Sequence, residues 1–397
     1  MNIREIIPGV SYVGVNDRTT TRFEGLWPLP YGVSYNSYIV SGDAATALID
    51  SVEIGSARDF TRLIKASSAN RTIDYLVVNH MEPDHSGSIP YLLAHYPSIK
   101  IVGNRQTLAM LKGFYGIDNP DNLLEVKEGD TIDLGGRTLR FHLTPMVHWP
   151  ETMMTYLVED EMLFAGDAFG CFGALCGAVV DSDMDTSVYF PEMYRYYSNI
   201  VGKYGKFVLA ALKKLDGVKL SYICSTHGPV WHENIARVVD IYTRLASGEG
   251  EDGVVIVYGS MYGNTASLAE MMASALSKRG VKGIRIYNAS FSELSNMISD
   301  AFRYRGLIVA SPTYSMSIFP PVKTFLDAMV TREVKNKVFA SLSGFTWASA
   351  AGKQIKEYAD RLGWETVASH EMKQGGDETV ADAIEKAADA FMEAYNR

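Results

Sequence analysis

The carboxyl-terminal part of the chain alternates between short apolar runs and longer amphipathic stretches. Runs of five or six apolar residues are typical of strands that are buried on both faces, and the stretches between them have apolar residues at helical spacing. The predicted strands cover residues 254–258, 283–287, 306–310, 337–342 and 365–370. The predicted helices cover residues 266–279, 292–304, 321–330, 348–362 and 378–395. This alternation predicts a doubly wound, five-stranded parallel sheet, in which ligands bind beyond the carboxyl ends of the strands.

The amino-terminal part has shorter apolar runs, and several of them alternate between apolar and polar residues. The predicted strands cover residues 37–40, 47–50, 138–143 and 152–158. The predicted helices cover residues 58–66, 89–95, 105–114 and 201–214. These elements predict mixed sheets layered with helices, an α+β arrangement whose topology the periodicity leaves open.

A short, flexible acidic segment lies between the two patterns. Residues 233–246 have helical spacing, and the sequence Ser-Gly-Glu-Gly-Glu-Asp-Gly follows at 247–253. Such a segment is typical of a linker. A length of 397 residues also favours two domains. We therefore predict domains at 1–250 and 251–397.

The charge and cysteine content exclude several classes of protein. The net charge is −9, of which −8 belongs to the first 250 residues (21 basic, 29 acidic) and −1 to the rest (16 basic, 17 acidic), which argues against a nucleic-acid partner. No apolar run approaches the roughly 18 to 20 residues that span a bilayer, and the amino end lacks the features of a secretion signal. Cys171, Cys176 and Cys224 form no CxxC pair, which argues against a disulfide framework or an iron–sulfur site. We predict a protein of the cytoplasm that does not bind membranes.

A dense group of potential metal ligands follows the apolar run that ends at residue 78. His80, Glu82, Asp84 and His85 place two imidazoles and two carboxylates within six residues, enough to help hold two metal ions. The carboxylate of Glu82 stands where a histidine would favour zinc, so the pattern favours iron and redox chemistry. His148, Asp167 and His227 each follow an apolar run and are further candidates, because the ends of neighbouring strands meet in space.

Three loops of the carboxyl-terminal part form a candidate cofactor site. The first joins a predicted strand to a helix, and its small and hydroxyl-bearing residues can surround a phosphate at a helix N-terminus. Its members are Ser260, Met261, Tyr262, Gly263, Asn264 and Thr265. It matches neither the G-x-G-x-x-G fingerprint nor the P-loop. The other two loops follow the third and fourth predicted strands and contain Pro312, Thr313, Tyr314 and Ser315, and Ser343, Gly344, Phe345 and Trp347.

These motifs together carry a family resemblance. The seven candidate ligands are similar to those of the metallo-β-lactamase fold in its di-iron form, and the phosphate loop resembles that of flavodoxin. With both domains in the same order, the chain resembles the flavodiiron proteins, or A-type flavoproteins. The resemblance implies an αββα metallo-β-lactamase-like domain followed by a flavodoxin-like domain. It also implies FMN in the three loops, with Tyr314 and Trp347 near the isoalloxazine ring, and no catalytic residue beyond the metal ligands.

The resemblance further implies an assignment of ligands and a reaction. One iron is expected at His80, Glu82 and His148, the other at Asp84, His85 and His227, and Asp167 is expected to bridge them. The expected reactions are reduction of O2 to water, of NO to N2O, or both. The expected assembly is a head-to-tail homodimer or a dimer of dimers. A separate rubredoxin or reduced F420 would donate electrons, because no rubredoxin motif occurs in this sequence.

Two other functions fit parts of the sequence. A binuclear zinc hydrolase fused to a flavodoxin would use the same fold, although Glu82 and the flavin loops argue against it. A pure electron-transfer flavoprotein with a vestigial metal site is the second. The aromatic residues Phe23, Trp27 and Tyr31, and the group Tyr194, Tyr196 and Tyr197, either pack in the core or cover the metal pocket. Trp149 could line the same pocket.

Overall fold

The computed structural model describes residues 4–68 and 71–397. It divides into two compact units, Met1–Thr243 and Arg244–Arg397. The division falls within helix α7 (Ile235–Ser247), just before the acidic segment. Contacts within each unit, and not a break in the chain, define this division. The domain boundary near residue 250 therefore remains a prediction.

The first unit is built on two mixed sheets. The strands are β1 (Arg4–Ile7), β2 (Val10–Tyr12), β3 (Val15–Asp17), β4 (Arg22–Phe23), β5 (Trp27–Pro28), β6 (Val33–Tyr35), β7 (Tyr38–Ser41), β8 (Thr46–Ile49), β9 (Tyr75–Val77), β10 (Lys100–Gly103), β11 (Leu123–Glu125), β12 (Thr131–Asp133), β13 (Thr138–Leu143), β14 (Met153–Leu157), β15 (Met162–Gly166) and β16 (Tyr222–Ser225). The first sheet has the order β1-β2-β7-β8-β9-β10-β11, and the second has the order β12-β13-β14-β15-β16. Short hairpin pairs, β3 with β6 and β4 with β5, lie outside these sheets.

The two sheets pack face to face around an aromatic core. Tyr38 of β7 and Phe164 of β15 are fully buried, and their ring centroids lie 5.2 Å apart. The Tyr38 hydroxyl donates to the carbonyl of Ser225 at the end of β16, 2.7 Å away. The helices of this unit are α1 (Ala57–Ser67), α2 (Pro83–Ser86), α3 (Ile89–His95), α4 (Arg105–Tyr115), α5 (Tyr189–Tyr196), α6 (Gly205–Lys214) and most of α7. The packing brings strand ends from both sheets to one edge.

The helix predicted over residues 201–214 is wrong at its start. The chain leaves α5 through a wide π-helical turn, Tyr197–Val201, and a 3₁₀ turn, Gly202–Tyr204, before α6 begins. Side chains compete for backbone carbonyls here, since the Ser198 hydroxyl donates to Tyr194 and the Asn199 amide donates to Arg195. The hydropathy pattern alone does not predict such a turn.

The second unit is the predicted doubly wound sheet. Its strands are β17 (Glu251–Tyr258), β18 (Ile284–Asn288), β19 (Tyr304–Tyr314), β20 (Ser317–Ile318), β21 (Val338–Phe345) and β22 (Glu365–Lys373). Its helices are α8 (Asn264–Lys278), α9 (Leu294–Arg303), α10 (Pro320–Thr331), α11 (Ala351–Leu362) and α12 (Thr379–Tyr395). The order β18-β17-β19-β21-β22 is parallel throughout, and β20 adds only a short antiparallel pair to β19. This arrangement confirms the predicted topology.

Four strands run further than predicted. β17 begins at Glu251, inside the segment predicted to be a flexible linker, and β19, β21 and β22 extend to Tyr314, Phe345 and Lys373. The ladder between β19 and β21 continues through the pairs Ser311–Ser343 and Pro312–Gly344. Most of the second and third predicted loops is therefore strand, up to Tyr314 and Phe345. The ends of these strands are polar, so the pattern of apolar runs did not predict them.

Within residues 4–68 and 71–397, no helix has the length and apolar content needed to cross a bilayer.

Lys337 is buried at the start of β21, and its pKa should be visible in the stability of the protein. The Lys337 ammonium donates to the carbonyls of Phe302 (3.2 Å) and Tyr304 (2.6 Å), and burial lowers its pKa to about 7. The unfolded chain, with a lysine pKa near 10.4, binds more protons between these values, so stability should rise with pH by up to about 1.4 kcal/mol per unit from this group.

Denaturant unfolding of the full chain at pH 7, 8 and 9 tests this. Lys337→Met should remove this rise with pH, whereas Lys282→Met, at an exposed lysine of the same unit, should keep it. Parallel pH curves for wild type and Lys337→Met would contradict the assignment.

Candidate metal centre and phosphate loop

The seven predicted metal ligands meet at the edge where strands of both sheets of the first unit end. They come from separate parts of the chain, and each follows a strand closely. His80 and Glu82 follow β9, Asp84 and His85 lie in α2, His148 lies in the turn between β13 and β14, Asp167 follows β15, and His227 follows β16.

The side chains form two groups. His80, Glu82, His148 and Asp167 offer ligand atoms within 4.8 Å of one another, and so do Asp84, His85 and His227. In the first group, Glu82 Oε2 lies 3.2 Å from His80 Nε2 and 3.0 Å from His148 Nε2. In the second group, Asp84 Oδ2 lies 3.2 Å from His85 Nε2 and 3.4 Å from His227 Nε2.

The Asp167 carboxylate lies between the groups and turns one oxygen toward each. Its Oδ2 is 3.0 Å from His148 Nε2 and 3.6 Å from His80 Nε2. Its Oδ1 is 3.0 Å from His85 Nε2 and accepts a hydrogen bond from the Thr226 hydroxyl. This orientation is the one that a carboxylate shared by two metal ions requires.

The electrostatics of the pocket favour positive charge at the imidazole Nε2 atoms. Burial alone would lower the pKa of His85, but the negative charges of Asp84 and Asp167 raise it to about 9. Burial would also lower the pKa of His148, but its hydrogen bonds with Asp167 and Glu82 raise this pKa to about 9. The same imidazoles hold the pKa of Asp167 well below its usual range despite its burial.

The residues present fit a pair of metal ions. Their donors are nitrogen and oxygen only, a set that suits iron or manganese. Both oxygens of Asp84 are buried and make no hydrogen bond to any described residue, and Nε2 of His85 and His227 face each other at 3.1 Å. Buried carboxylate oxygens without partners are costly unless a cation lies among them. Metal ions would relieve this cost.

Aromatic rings surround the two groups. The ring of Phe23 lies 5.4 Å from that of His227, and the ring of Tyr196 lies at the same distance on another side. Trp149 presents its ring at 5.3 Å from His80. Phe23, Tyr196 and Trp149 therefore line the pocket. Tyr31 does not: it is half exposed and lines a separate surface cavity of ≈ 640 Å³.

Three residues that support the imidazoles were not among the predicted site residues. Ser34 accepts a bond from His227 Nδ1 through its carbonyl (2.7 Å), and the ring of Tyr35 lies 5.8 Å from His227. Glu151 accepts a bond from His80 Nδ1 (2.8 Å). A carboxylate three residues after His148 was a signal for Glu151, whereas Ser34 and Tyr35 become neighbours of His227 only through the fold.

The predicted phosphate loop lies between β17 and α8, as expected. Gly263 precedes the helix with φ of +98°, a conformation that favours glycine, and it supplies no side-chain oxygen to cap the helix. The first backbone N–H groups of α8 are thus available to an anion. Tyr262 is almost fully exposed in the same loop.

The other two predicted loops lie at the same edge of the second unit. A Cβ at Gly344 would lie 3.3 Å from the Thr265 hydroxyl, so the first and third loops are adjacent. Trp347 is 88% exposed and Tyr314 is 45% exposed, which leaves aromatic surface open next to the phosphate loop. Thr313 instead accepts bonds from the N–H groups of Ala350 and Ala351 at the start of α11.

Comparisons with known proteins agree with the two predicted domains. A family model described as ODP family beta lactamase matches residues 33–228, and the flavodoxin model matches residues 256–391. The anaerobic nitric oxide reductase flavorubredoxin of Pectobacterium carotovorum subsp. carotovorum (strain PC1) is 31% identical over 365 residues, 90% of this chain and 71% of the relative. These matches confirm the predicted order of a metallo-β-lactamase-like and a flavodoxin-like domain.

Solved structures extend the likeness to nearly the whole chain. Rubredoxin oxygen:oxidoreductase from the anaerobe Desulfovibrio gigas has a TM-score of 0.94 at 26% identity, covering 100% of this chain and 99% of that one. The flavodiiron protein from Giardia intestinalis has a TM-score of 0.91 at 26% identity, covering 99% and 97%.

The position of Asp167 between the two groups predicts that both metal ions depend on it. Asp167→Ala should lower the metal content from about two ions per chain to about one or fewer, because each group loses an oxygen donor. Elemental analysis of anaerobically reconstituted protein measures this. Asp118→Ala, at an exposed aspartate of the same unit, is the control. Full metal content in Asp167→Ala would refute the shared role.

Proposed function

Because the chain belongs to the flavodiiron protein family, we propose that it reduces O2, NO or both at a di-iron centre that receives electrons through FMN. The single observation that carries this proposal is the Asp167 carboxylate, which directs one oxygen toward each group of imidazoles. That arrangement favours a metal pair over two isolated ions.

The ligand assignment follows the two groups. His80, Glu82 and His148 would hold one iron, Asp84, His85 and His227 would hold the other, and Asp167 would bridge them. Glu82 supports iron over zinc, since its carboxylate occupies a position where a third neutral imidazole would otherwise complete the first group.

When bound, FMN and the iron pair supply the electron chemistry, and together they can hold four electrons. Reduction of O2 to two waters consumes four electrons and four protons. Reduction of two NO to N2O and one water consumes two of each. The protein must therefore position a small diatomic molecule and deliver protons to it.

Tyr196 is placed to hold a proton at the pocket. Its hydroxyl is fully buried, has no hydrogen-bond partner among the described residues, and belongs to a ring packed on His227. Burial and the charge of Asp167 keep the pKa of this hydroxyl well above its usual range, so the oxygen retains its proton. The Phe23 and Trp149 rings pack beside His227 and His80 and would restrict the access of water to the pocket.

The flavin loops would hold FMN by its phosphate and ring. The N–H groups at the start of α8 and the Ser260 and Thr265 hydroxyls are suited to the terminal phosphate. Tyr314 and Trp347 present exposed aromatic faces to the isoalloxazine ring. The remaining predicted residues of the three loops would complete the contacts.

Replacing Glu82 separates this proposal from its rivals. Glu82→Ala should slow reoxidation of the reduced protein by O2 or NO by about 100-fold or more, because one metal loses a ligand, while FMN stays bound. Anaerobic stopped-flow absorbance measures the rate, and Glu125→Ala, at an exposed glutamate, should react like wild type.

Two results would refute the proposal. Full O2 or NO turnover in Glu82→Ala with FMN retained would favour an electron-transfer flavoprotein. About two zinc ions and no iron per chain, with ester or phosphodiester cleavage, would favour the hydrolase.

We propose a separate rubredoxin or reduced F420 as donor, since either can deliver electrons to a flavin. A cytoplasmic location is supported by Cys171, Cys176 and Cys224, which are all free thiols in the described chain.

We further propose a head-to-tail homodimer, or a dimer of such dimers, in which the flavin of one chain serves the irons of the other. Support comes from large exposed aromatic side chains in the second unit: Tyr262 and Trp347 near the flavin loops, and Phe291. Solvent-exposed aromatic clusters are typical of interaction surfaces.

A mixed dimer tests this assembly. One chain carries Glu82→Ala and the other carries Gly263→Val, which strains the phosphate loop and should prevent FMN binding. A head-to-tail pair keeps one intact flavin and iron set, so purified mixed dimers should show about half of the wild-type turnover. Loss of all turnover in the mixed dimer would mean transfer within one chain, and a fully active monomer in sedimentation would exclude the dimer.

A further inference from the structure

The Nδ1 atoms of three imidazoles point away from the metal groups, and their hydrogen-bond partners differ in charge. His80 Nδ1 donates to a carboxylate, Glu151 Oε1, at 2.8 Å. His227 Nδ1 donates to a neutral backbone carbonyl, that of Ser34. His85 Nδ1 has no partner among the described residues. The two groups therefore differ in the charge that supports their imidazoles.

Glu151 is built into the structure as an anion. The Glu151 side chain is fully buried. Its Oε1 accepts hydrogen bonds from His80 Nδ1 and from the Met81 N–H, the latter at 2.9 Å. Its Oε2 is buried without a hydrogen-bond partner in the described residues. Its carbonyl accepts from the Asn104 side chain, which also caps α4. The carboxylate is thus held rigidly against one face of His80.

A buried carboxylate with one unpartnered oxygen is costly unless positive charge lies nearby. A metal ion in the first group would supply this positive charge through the adjacent His80, because Nε2 of His80 belongs to that group. A carboxylate on the far nitrogen fixes the Nδ1–H tautomer and makes the imidazole a stronger electron donor to a metal.

We propose that Glu151 is a positioning residue that makes the two metal positions unequal, so that the ion held by His80 is the more easily oxidised. This inference rests on the proposed di-iron function. A stronger donor on one side stabilises the higher oxidation state there, which lowers the midpoint potential of that ion relative to its neighbour. Electrons would then leave the His80 side first.

Glu151→Gln separates charge from geometry. The amide oxygen can still accept from His80 Nδ1 and Met81, whereas the negative charge is gone. The lower of the two one-electron midpoint potentials of the iron pair should rise and the gap between them should narrow, as measured by anaerobic redox titration with Mössbauer detection. Glu151→Ala, which also loses the hydrogen bond, should in addition lower iron affinity by about 10- to 100-fold.

Glu192→Gln is the matched control. Glu192 is a buried glutamate of the same unit and pairs with Arg195. It should leave both potentials unchanged.

The possible results are distinguishable. Unchanged potentials in Glu151→Gln, with an intact iron pair, would overturn this inference alone. Equal shifts in Glu151→Gln and Glu192→Gln would also overturn it, because they would reflect a general effect of removing buried charge. A wild-type protein without a coupled iron pair would overturn the proposed function itself.

Discussion

The placement of one buried carboxylate, Asp167, organises the metal centre. Each of its oxygens lies 3.0 Å from an imidazole of a different group, and the Thr226 hydroxyl fixes its orientation. A buried carboxylate in this position repels the other acids unless cations are interleaved. The imidazoles and carboxylates therefore stabilise one another only as an alternating set, and the pocket is suited to positive charge at two points.

The fold brings the imidazoles and carboxylates together because the ends of several strands meet at one edge. β9 belongs to one sheet, and β15 and β16 belong to the other, so ligands far apart in sequence reach one edge when the sheets pack through Tyr38 and Phe164. Rigid strands and short turns fix the side chains, which matters because metal geometry tolerates only small displacements. The second unit uses the same principle, since its candidate flavin residues lie at or just beyond the carboxyl ends of β17, β19 and β21.

The sequence predicted the parts that depend on local pattern. The parallel sheet of the second unit followed from strand and helix periodicity, and the ligand candidates followed from residue type and from their place after apolar runs. The extended ends of β19 and β21 were missed because ladder pairs such as Ser311–Ser343 are polar. The π-helical turn after α5 was missed because side-chain bonds of Ser198 and Asn199 decide it. The buried Lys337 and the support of His227 by Ser34 depend on tertiary contacts, which periodicity does not contain.

The charge of the pocket limits what the metal pair can do. Three carboxylates among the predicted ligands and Glu151 contribute four negative charges, which equal the charge of two ferrous ions. A diferric pair held here would exceed this fixed negative charge by two, at a cost that would grow as water is excluded. The four carboxylates would therefore balance the ferrous pair, and a substrate bound beside the ions would have to supply the negative charge that a ferric pair requires.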